Sequence, residues 1–392
     1  MIVTKIECFA VKEMFKKPFT MRGDTKTYEP GMIVKLHTDE GIVGIADSGG
    51  TSAWYRGELI ETMMAIINRE FAPVLLGEDP LNIEKIIAKF DLLVRDNNQA
   101  KAVIDFALHD IKGKALGVPV YQLLGGKCRE SIPLAYVLPA AGPDEVVDMA
   151  QKSIAAGFKA VKLKTSGDAD TGFDLKNVAA LREALGDDAD IYVDANGAWD
   201  YYQALMFLKA AEKYNLAMME QPLPWWDVDN MAKLRQKVGT PIFADEGVVE
   251  LKHLIEFGQK QACDGFFIKV TKAGGLVKSK RFITVARSLG MSVLCGCMMG
   301  SGIESAELAH LLISDDWMGL RPHETIGPLQ ANDIFDTVQE RITDNLAVEL
   351  PRYENGCLYA PEGPGLGMEL NEEVLKRCII EEIGSTCVEL KK

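Results

Sequence analysis

Three carboxylates, Asp194, Glu220 and Asp245, each follow a short apolar run, and lysines end matching runs one repeat earlier and one repeat later, at Lys164 and Lys269. The five positions are spaced about 24 to 30 residues apart. That interval holds one strand, one helix and two short loops. The runs are Val161-Lys162-Leu163-Lys164, Ile191-Tyr192-Val193-Asp194, Ala217-Met218-Met219-Glu220, Ile242-Phe243-Ala244-Asp245 and Phe266-Phe267-Ile268-Lys269. Taken as parallel barrel strands, they release all five polar groups at the C-terminal mouth, where barrel active sites lie. A strand period of two puts Lys162 on the same side as Lys164. Three carboxylates with no imidazole or thiolate among them suit a hard divalent cation, Mg²⁺ first and Mn²⁺ second. A strand-end salt bridge accounts for any one of these acids alone, but not for three in register between lysines. Lys162, as a neighbouring ammonium, favours a neutral Lys164. Lys269 faces Lys164 across the lumen, because their strands are the second and sixth of eight. A metal beside such bases suits removal of a proton next to a carboxylate, since a divalent ion stabilises the enediolate that results.

The elements that must carry these groups fall into three stretches. Residues 1–128 are expected to be an α+β capping domain. It starts with the alternating Met1–Cys8 segment and continues with a hairpin of Met32–His37 and Ile42–Ala46 around Thr38-Asp39-Glu40-Gly41. The polar stretch from Thr20 to Gly31 is expected to be a flexible loop. Helical spacing predicts helices over 58–71, 82–94 and 99–115, the last ended by Gly117-Val118-Pro119. Residues 129–328 alternate strand and helix. Ile132–Val137 is the first strand, a helix opens at Pro143, the five runs above follow, Ser292–Cys295 is the seventh strand, and Trp317–Leu320 is a weak eighth. With no helix after the eighth, the expected fold is α/β, a (β/α)7β TIM-like barrel. Residues 329–392 are expected to pack back on the capping domain and complete it.

The net charge of −14 argues against nucleic acid and anionic membranes as partners. No apolar run approaches the ~18 residues of a membrane span. The N-terminus lacks the features of a secretory signal, and the eight cysteines are scattered. Both observations point to reduced thiols and a cytoplasmic location. Cys295-Gly296-Cys297 has the wrong spacing for a zinc site.

At these residues the chain resembles the enolase superfamily, and within it the muconate lactonizing enzyme subgroup (mandelate racemase/muconate lactonizing enzyme-like). The resemblance is carried by Lys-x-Lys at 162–164, Asp194 in Val-Asp-Ala-Asn, Glu220 in Glu-Gln-Pro, Asp245 in Ala-Asp-Glu, Lys269 followed by Gly274-Gly275, and the closing Gly-Pro-Gly-Leu-Gly. It spans nearly the whole chain. It implies that Asp194, Glu220 and Asp245 bind Mg²⁺ and that Lys164 and Lys269 act as acid and base on opposite faces of the substrate. It also implies that Lys162 tunes Lys164 and touches the substrate carboxylate, and that Asn196 supports the metal site from behind. A lysine base paired with Mg²⁺ is a general pattern of that superfamily.

Three departures stand out. The His-Asp pair of the mandelate racemase subgroup is missing, and His310 falls in a helical pattern as a structural residue. The acid that many subgroup members carry after the seventh strand is replaced by Gly300, with Glu304 four residues later in a helix. An Asp-x-Asp typical of dipeptide epimerases is also missing, since Leu320-Arg321-Pro322-His323-Glu324 stands there, and this disfavours dipeptide epimerisation. For specificity, the family pattern points to capping-domain loops. Arg22 is the candidate for a distal carboxylate, and Trp54 or Tyr55 for an apolar or cationic group. Met298, Arg321 and His323 are further candidates to meet substrate, while Trp225-Trp226 are expected to pack between the barrel and its neighbours.

The expected function is Mg²⁺-dependent abstraction of an α-proton from a small carboxylate, with racemisation or epimerisation of a substrate such as an N-acyl amino acid placed first. Muconate-type cycloisomerisation and dehydration of the o-succinylbenzoate synthase kind use the same groups. A silent metal-binding scaffold is the reading outside catalysis, and the lysines accompanying every metal ligand argue against it. The resemblance also implies a homo-oligomer.

Overall fold

The computed structural model describes residues 1–21, 24–167, 171–319, 321–328 and 345–391. The N-terminal part is built on an antiparallel sheet in the order Ser385–Glu389, Val3–Met21, Asp24–Thr38, Val43–Asp47. The chain's tail thus supplies an edge strand to the first sheet.

The Thr20–Gly31 stretch corrects the expectation of a loop. Pairing runs on from Val11↔Gly31 through Glu13↔Glu29 to Met21↔Asp24, so the hairpin is one long ribbon. Two strands projecting beyond the sheet have little buried face to mark with alternating apolar residues: Phe15 and Glu29 are buried, but Met14 and Tyr28 are exposed there. Polarity therefore hid a strand. Arg22, at the tip, lies outside the described residues. The helices Ile60–Ile66, Ile83–Leu93 and Asn98–Leu116 follow, the first continuing through a π turn at Ile67–Phe71.

The second sheet is wholly parallel and runs through seven strands in sequence order: Ala135–Leu138, Ala160–Lys164, Asp190–Asp194, Met218–Glu220, Ile242–Ala244, Gly265–Ile268 and Ser292–Cys295. Helices connect them, starting with Pro143–Ala155, whose proline sits in the first turn where no N–H is needed. The eighth position differs from expectation. Asp316–Gly319 is a 3₁₀ turn, and Trp317 donates its indole N–H to the Met291 carbonyl at 2.8 Å. His323 and Glu324 close the ring instead. The Ala135 N–H donates to the His323 carbonyl at 2.7 Å, and the Glu324 N–H donates to the Cys295 carbonyl at 2.9 Å. This closing segment is short and follows a proline, so it has neither the length nor the apolar content that marks a strand.

Side chains that point into the lumen form their own apolar layer: Ala135, Ala160, Tyr192, Met218, Phe243, Phe267 and Leu294. Each lies two residues before a mouth position on the same strand, so the strand period turns the next inward residue toward the opening. Among the described residues, no helix is long and apolar enough to cross a membrane.

Candidate active site

One residue pair on from the apolar floor, Lys162, Asp194, Glu220, Asp245 and Lys269 all reach the mouth, with Lys164 above Lys162. All six side chains are buried. Register explains the convergence. Lys164 pairs with Asp194 and Asp194 pairs with Glu220 across three neighbouring strands, while Asp245 lies two residues beyond Phe243, the partner of Glu220.

The Lys164 Nζ donates to Asp194 Oδ2 at 2.5 Å and to Asn196 Oδ1 at 3.4 Å. Asn196 adopts a left-handed backbone (φ 45°), which folds it back so that its N–H and its amide nitrogen donate to Asp194 at 2.8 and 3.2 Å. The Lys162 Nζ lies 2.7 Å from Glu220 and 3.4 Å from Asp194, contacts Glu324, and sits 4.8 Å above the Phe267 ring. Burial opposes its charge, but Glu220, Glu324 and Asp194 outweigh burial and hold the ammonium well above its ordinary pKa. On the far side, Lys269 donates to Asp245 Oδ2 at 2.8 Å. Gly296, the mouth position of the seventh strand, keeps that lysine's space open, since a Cβ there would lie 3.3 Å from its Cε.

The acids differ from one another. Burial raises the Asp245 carboxyl, but Lys269 and Lys272 outweigh it and bring the group far below the usual range. Asp194 is also lowered, by Lys164 and Lys162 against burial. Burial and then Asp194 push Glu220 well up. Among the described residues, no three acid, thiol or imidazole groups converge ready-made on one point, and the lysine ammonium groups stand between the acids. Asp194, Glu220 and Asp245 nonetheless form an all-oxygen, buried donor set of the kind that could hold a hard cation.

Four residues escaped the sequence analysis. Glu324 reaches Lys162 from the closing segment. Placing the eighth strand at 321–324 would have revealed it. Lys272, three residues after Lys269, donates to both the carboxylate and the carbonyl of Asp245 at 2.6 Å. Gln221 accepts from the N–H groups of Asp245 and Gly247 at 2.9 and 3.2 Å and thereby ties two strand ends together. Glu246 is buried beside Asp245, and burial, Asp245 and Asp194 push it up to about 8.

The specificity candidates separate. His323 is fully buried and does not open to the mouth. Its Nδ1 accepts from the Cys295 N–H at 3.0 Å, its Nε2 donates to the Met318 carbonyl, and burial pushes it down to about 4. Strand alternation is the reason, since Glu324 takes the inward place. Arg321 precedes Pro322, whose carbonyl accepts from the hydroxyl of Tyr192 in the lumen floor at 3.5 Å. Trp54 is 45% exposed on the short helix Ala53–Arg56, and the Tyr55 side chain lies outside the described residues. Trp225 and Trp226 are 59% and 65% exposed on this chain. His310 is structural: its Nε2 bonds to the Leu366 carbonyl and burial lowers it to about 4.

Met298 is buried where the cap meets the barrel. Its carbonyl accepts from the Gly50 N–H at 2.7 Å, and its N–H donates to Glu304 at 2.8 Å. The glycine at 300 has a physical reason. A Cβ there would lie 2.7 Å from Gly49 Cα and 2.8 Å from Glu304 Oε2, so the cap loop and Glu304 occupy the space an acid would need. The Glu304 carboxylate reaches back from the helix Gly302–Ile313 to accept from the N–H groups of Met298 and Gly300.

Residues 4–125 match the mandelate racemase/muconate lactonizing enzyme N-terminal domain, and residues 145–374 match the enolase C-terminal domain-like family. The chain belongs to the enolase superfamily. Within that superfamily it falls in the muconate lactonizing enzyme-like subgroup. It is 31% identical to N-succinyl-L-Arg/Lys racemase of Bacillus cereus, over 97% of this chain and 98% of the relative. Muconate cycloisomerase 1 of Rhodococcus opacus is also 31% identical, over 95% of this chain and 97% of that protein. A mandelate racemase/muconate lactonizing family protein from Azoarcus sp. EbN1 superposes with a TM-score of 0.91 at 48% identity, covering 99% of this chain and 100% of the other. The first two of these relatives are a racemase and a cycloisomerase, and the chain groups with them as an enolase-superfamily isomerase.

Proposed function

We propose that this superfamily member removes the α-proton of a small carboxylate and returns a proton on the opposite face, racemising or epimerising a substrate of the N-acyl amino acid class, with Asp194, Glu220 and Asp245 the groups that would hold Mg²⁺. The observation that carries this reading is the placement of Lys164 and Lys269. They stand on the second and sixth strands of an eight-membered ring, each tied to a different acid of one cluster. The racemase relative, which matches over nearly its full length, supports the substrate class.

A divalent cation held by Asp194, Glu220 and Asp245 fits this donor set and supplies positive charge where the substrate carboxylate gains electron density. Lys162, fixed as an ammonium by three acids, is placed to pair with that carboxylate. Lys164 takes the proton from one face and Lys269 delivers one from the other, with roles exchanged for the reverse enantiomer. Asn196 keeps Asp194 oriented beside Lys164. The apolar floor seals the lumen beneath the reacting carbon.

The deciding experiment is incubation of single enantiomers of N-acyl amino acids with enzyme and Mg²⁺ in D₂O. Deuterium at Cα with loss of optical rotation is expected. Turnover of muconate without such exchange replaces racemisation with cycloisomerisation, the activity named for the second relative. Loss of water from a substrate replaces it with dehydration.

A further inference from the structure

Glu246 has no place in the reaction just described, yet its burial demands an explanation. It is 6% exposed, and among the described residues neither carboxylate oxygen has a hydrogen-bond partner. A buried carboxyl without a donor is costly, and such groups in native proteins call for an interaction that completes them. Its surroundings show which kind. Asp245 is its chain neighbour, and Asp194 and Lys269 lie close enough to act on its charge. Gly197 faces it from the loop after the third barrel strand, where a Cβ would come within 3.1 Å of Glu246 Oε1. Glu246 therefore follows one proposed cation ligand directly in the chain and faces the loop that follows another, Asp194.

The hydrogen bonds of the nearby donors run to other groups. Lys269 donates to Asp245 Oδ2, and Lys272 to Asp245 Oδ1 and the Asp245 carbonyl. The amide of Gln221 is likewise engaged at both ends, by Asp245, Gly247 and Leu223. The lysines that compensate Asp245 give no hydrogen bond to Glu246, although it too is buried.

We propose that Glu246 is a fourth carboxyl group of the cation site, a positioning residue whose unpartnered oxygens back Asp245 and the loop after Asp194 and strengthen divalent-cation binding there. This rests on the metal assignment in the proposed function. Groups that back a metal's ligands typically change metal affinity 10- to 100-fold when removed.

The test is calorimetric titration of substrate-free protein with MnCl₂, comparing wild type with Glu246→Gln and Glu246→Ala, alongside thermal melts with and without Mn²⁺. Glu246→Gln should bind Mn²⁺ about tenfold or more weakly. Its metal-free melting temperature should hold or rise, while the Mn²⁺-induced increase in melting temperature shrinks. A purely structural role gives the opposite pattern: a lower metal-free melting temperature with unchanged Mn²⁺ affinity, which overturns the proposal. If the Gln variant does not fold, the smaller Ala variant is read in the same way, weaker binding supporting the proposal and wild-type affinity overturning it. Wild-type protein that binds no Mn²⁺ overturns the metal assignment and this inference together, whereas wild-type binding with unaffected variants overturns this inference alone.

Discussion

The barrel mouth and the seam between cap and barrel both bury carboxylates, but they compensate them differently. At the mouth the acids meet ammonium groups: Asp194 with Lys164, Glu220 with Lys162, Asp245 with Lys269 and Lys272. At the seam they meet neutral donors. Asp47 accepts from the Gly49 N–H at 2.8 Å, the Ser301 N–H at 2.8 Å and the Ser301 hydroxyl at 2.6 Å, while Glu304 accepts from the N–H groups of Met298 and Gly300. Ammonium groups are mobile charges that a cation or a substrate carboxylate can re-pair. Backbone N–H groups are fixed by the loops that carry them. The mouth is thus built to exchange partners and the seam to hold one geometry, with the paired glycines at 49 and 300 letting the two loops touch.

The sharpest way to break this contrast is at the mouth. Lys164→Ala and Lys269→Ala should each lower kcat by roughly 10³-fold or more, followed by polarimetry, while calorimetry shows that Mn²⁺ still binds. Full racemisation by either variant removes the two-base arrangement.

A smaller effect tests the seam through pH. Burial, with Asp47 beside it, pushes Glu304 up to about 8, above its ordinary value of 4.5. The folded state therefore favours the protonated carboxyl. Its contribution is complete below about pH 4.5 and is lost as pH rises through about 8, on the order of a few kcal/mol. Urea denaturation across that range should show the decline in wild type and a flatter profile in Glu304→Gln. An unchanged slope would mean that Glu304 is ionised in the folded protein.

The smallest effect is steric. Gly300→Ala drives a Cβ into the Gly49 backbone and should cost about 1–3 kcal/mol, measured by urea unfolding, and should raise KM more than it lowers kcat. Stability equal to wild type would show that the seam yields.

Much of the site is legible in the amino-acid order alone. Lys162, Lys164, Asp194, Glu220, Asp245 and Lys269 share one inward parity at one repeat spacing, and both properties are local to the chain. The Thr20–Gly31 ribbon and the eighth barrel position are not legible, because neither carries the apolar alternation that reveals a strand. Chemistry alone assigns His323 to the substrate, and its true direction follows only from the hydrogen bonds that close the ring.

The sequence by itself therefore determined the kind of chemistry and the strands that bear it, since strand period and repeat length are set by neighbours along the chain. Tertiary structure alone decided that Glu324 meets Lys162, that no described residue donates to Glu246, and that Asp47 bonds Ser301 across 254 residues. Those contacts depend on how the ring closes and where the cap rests on it, and packing between distant segments, not local pattern, sets both.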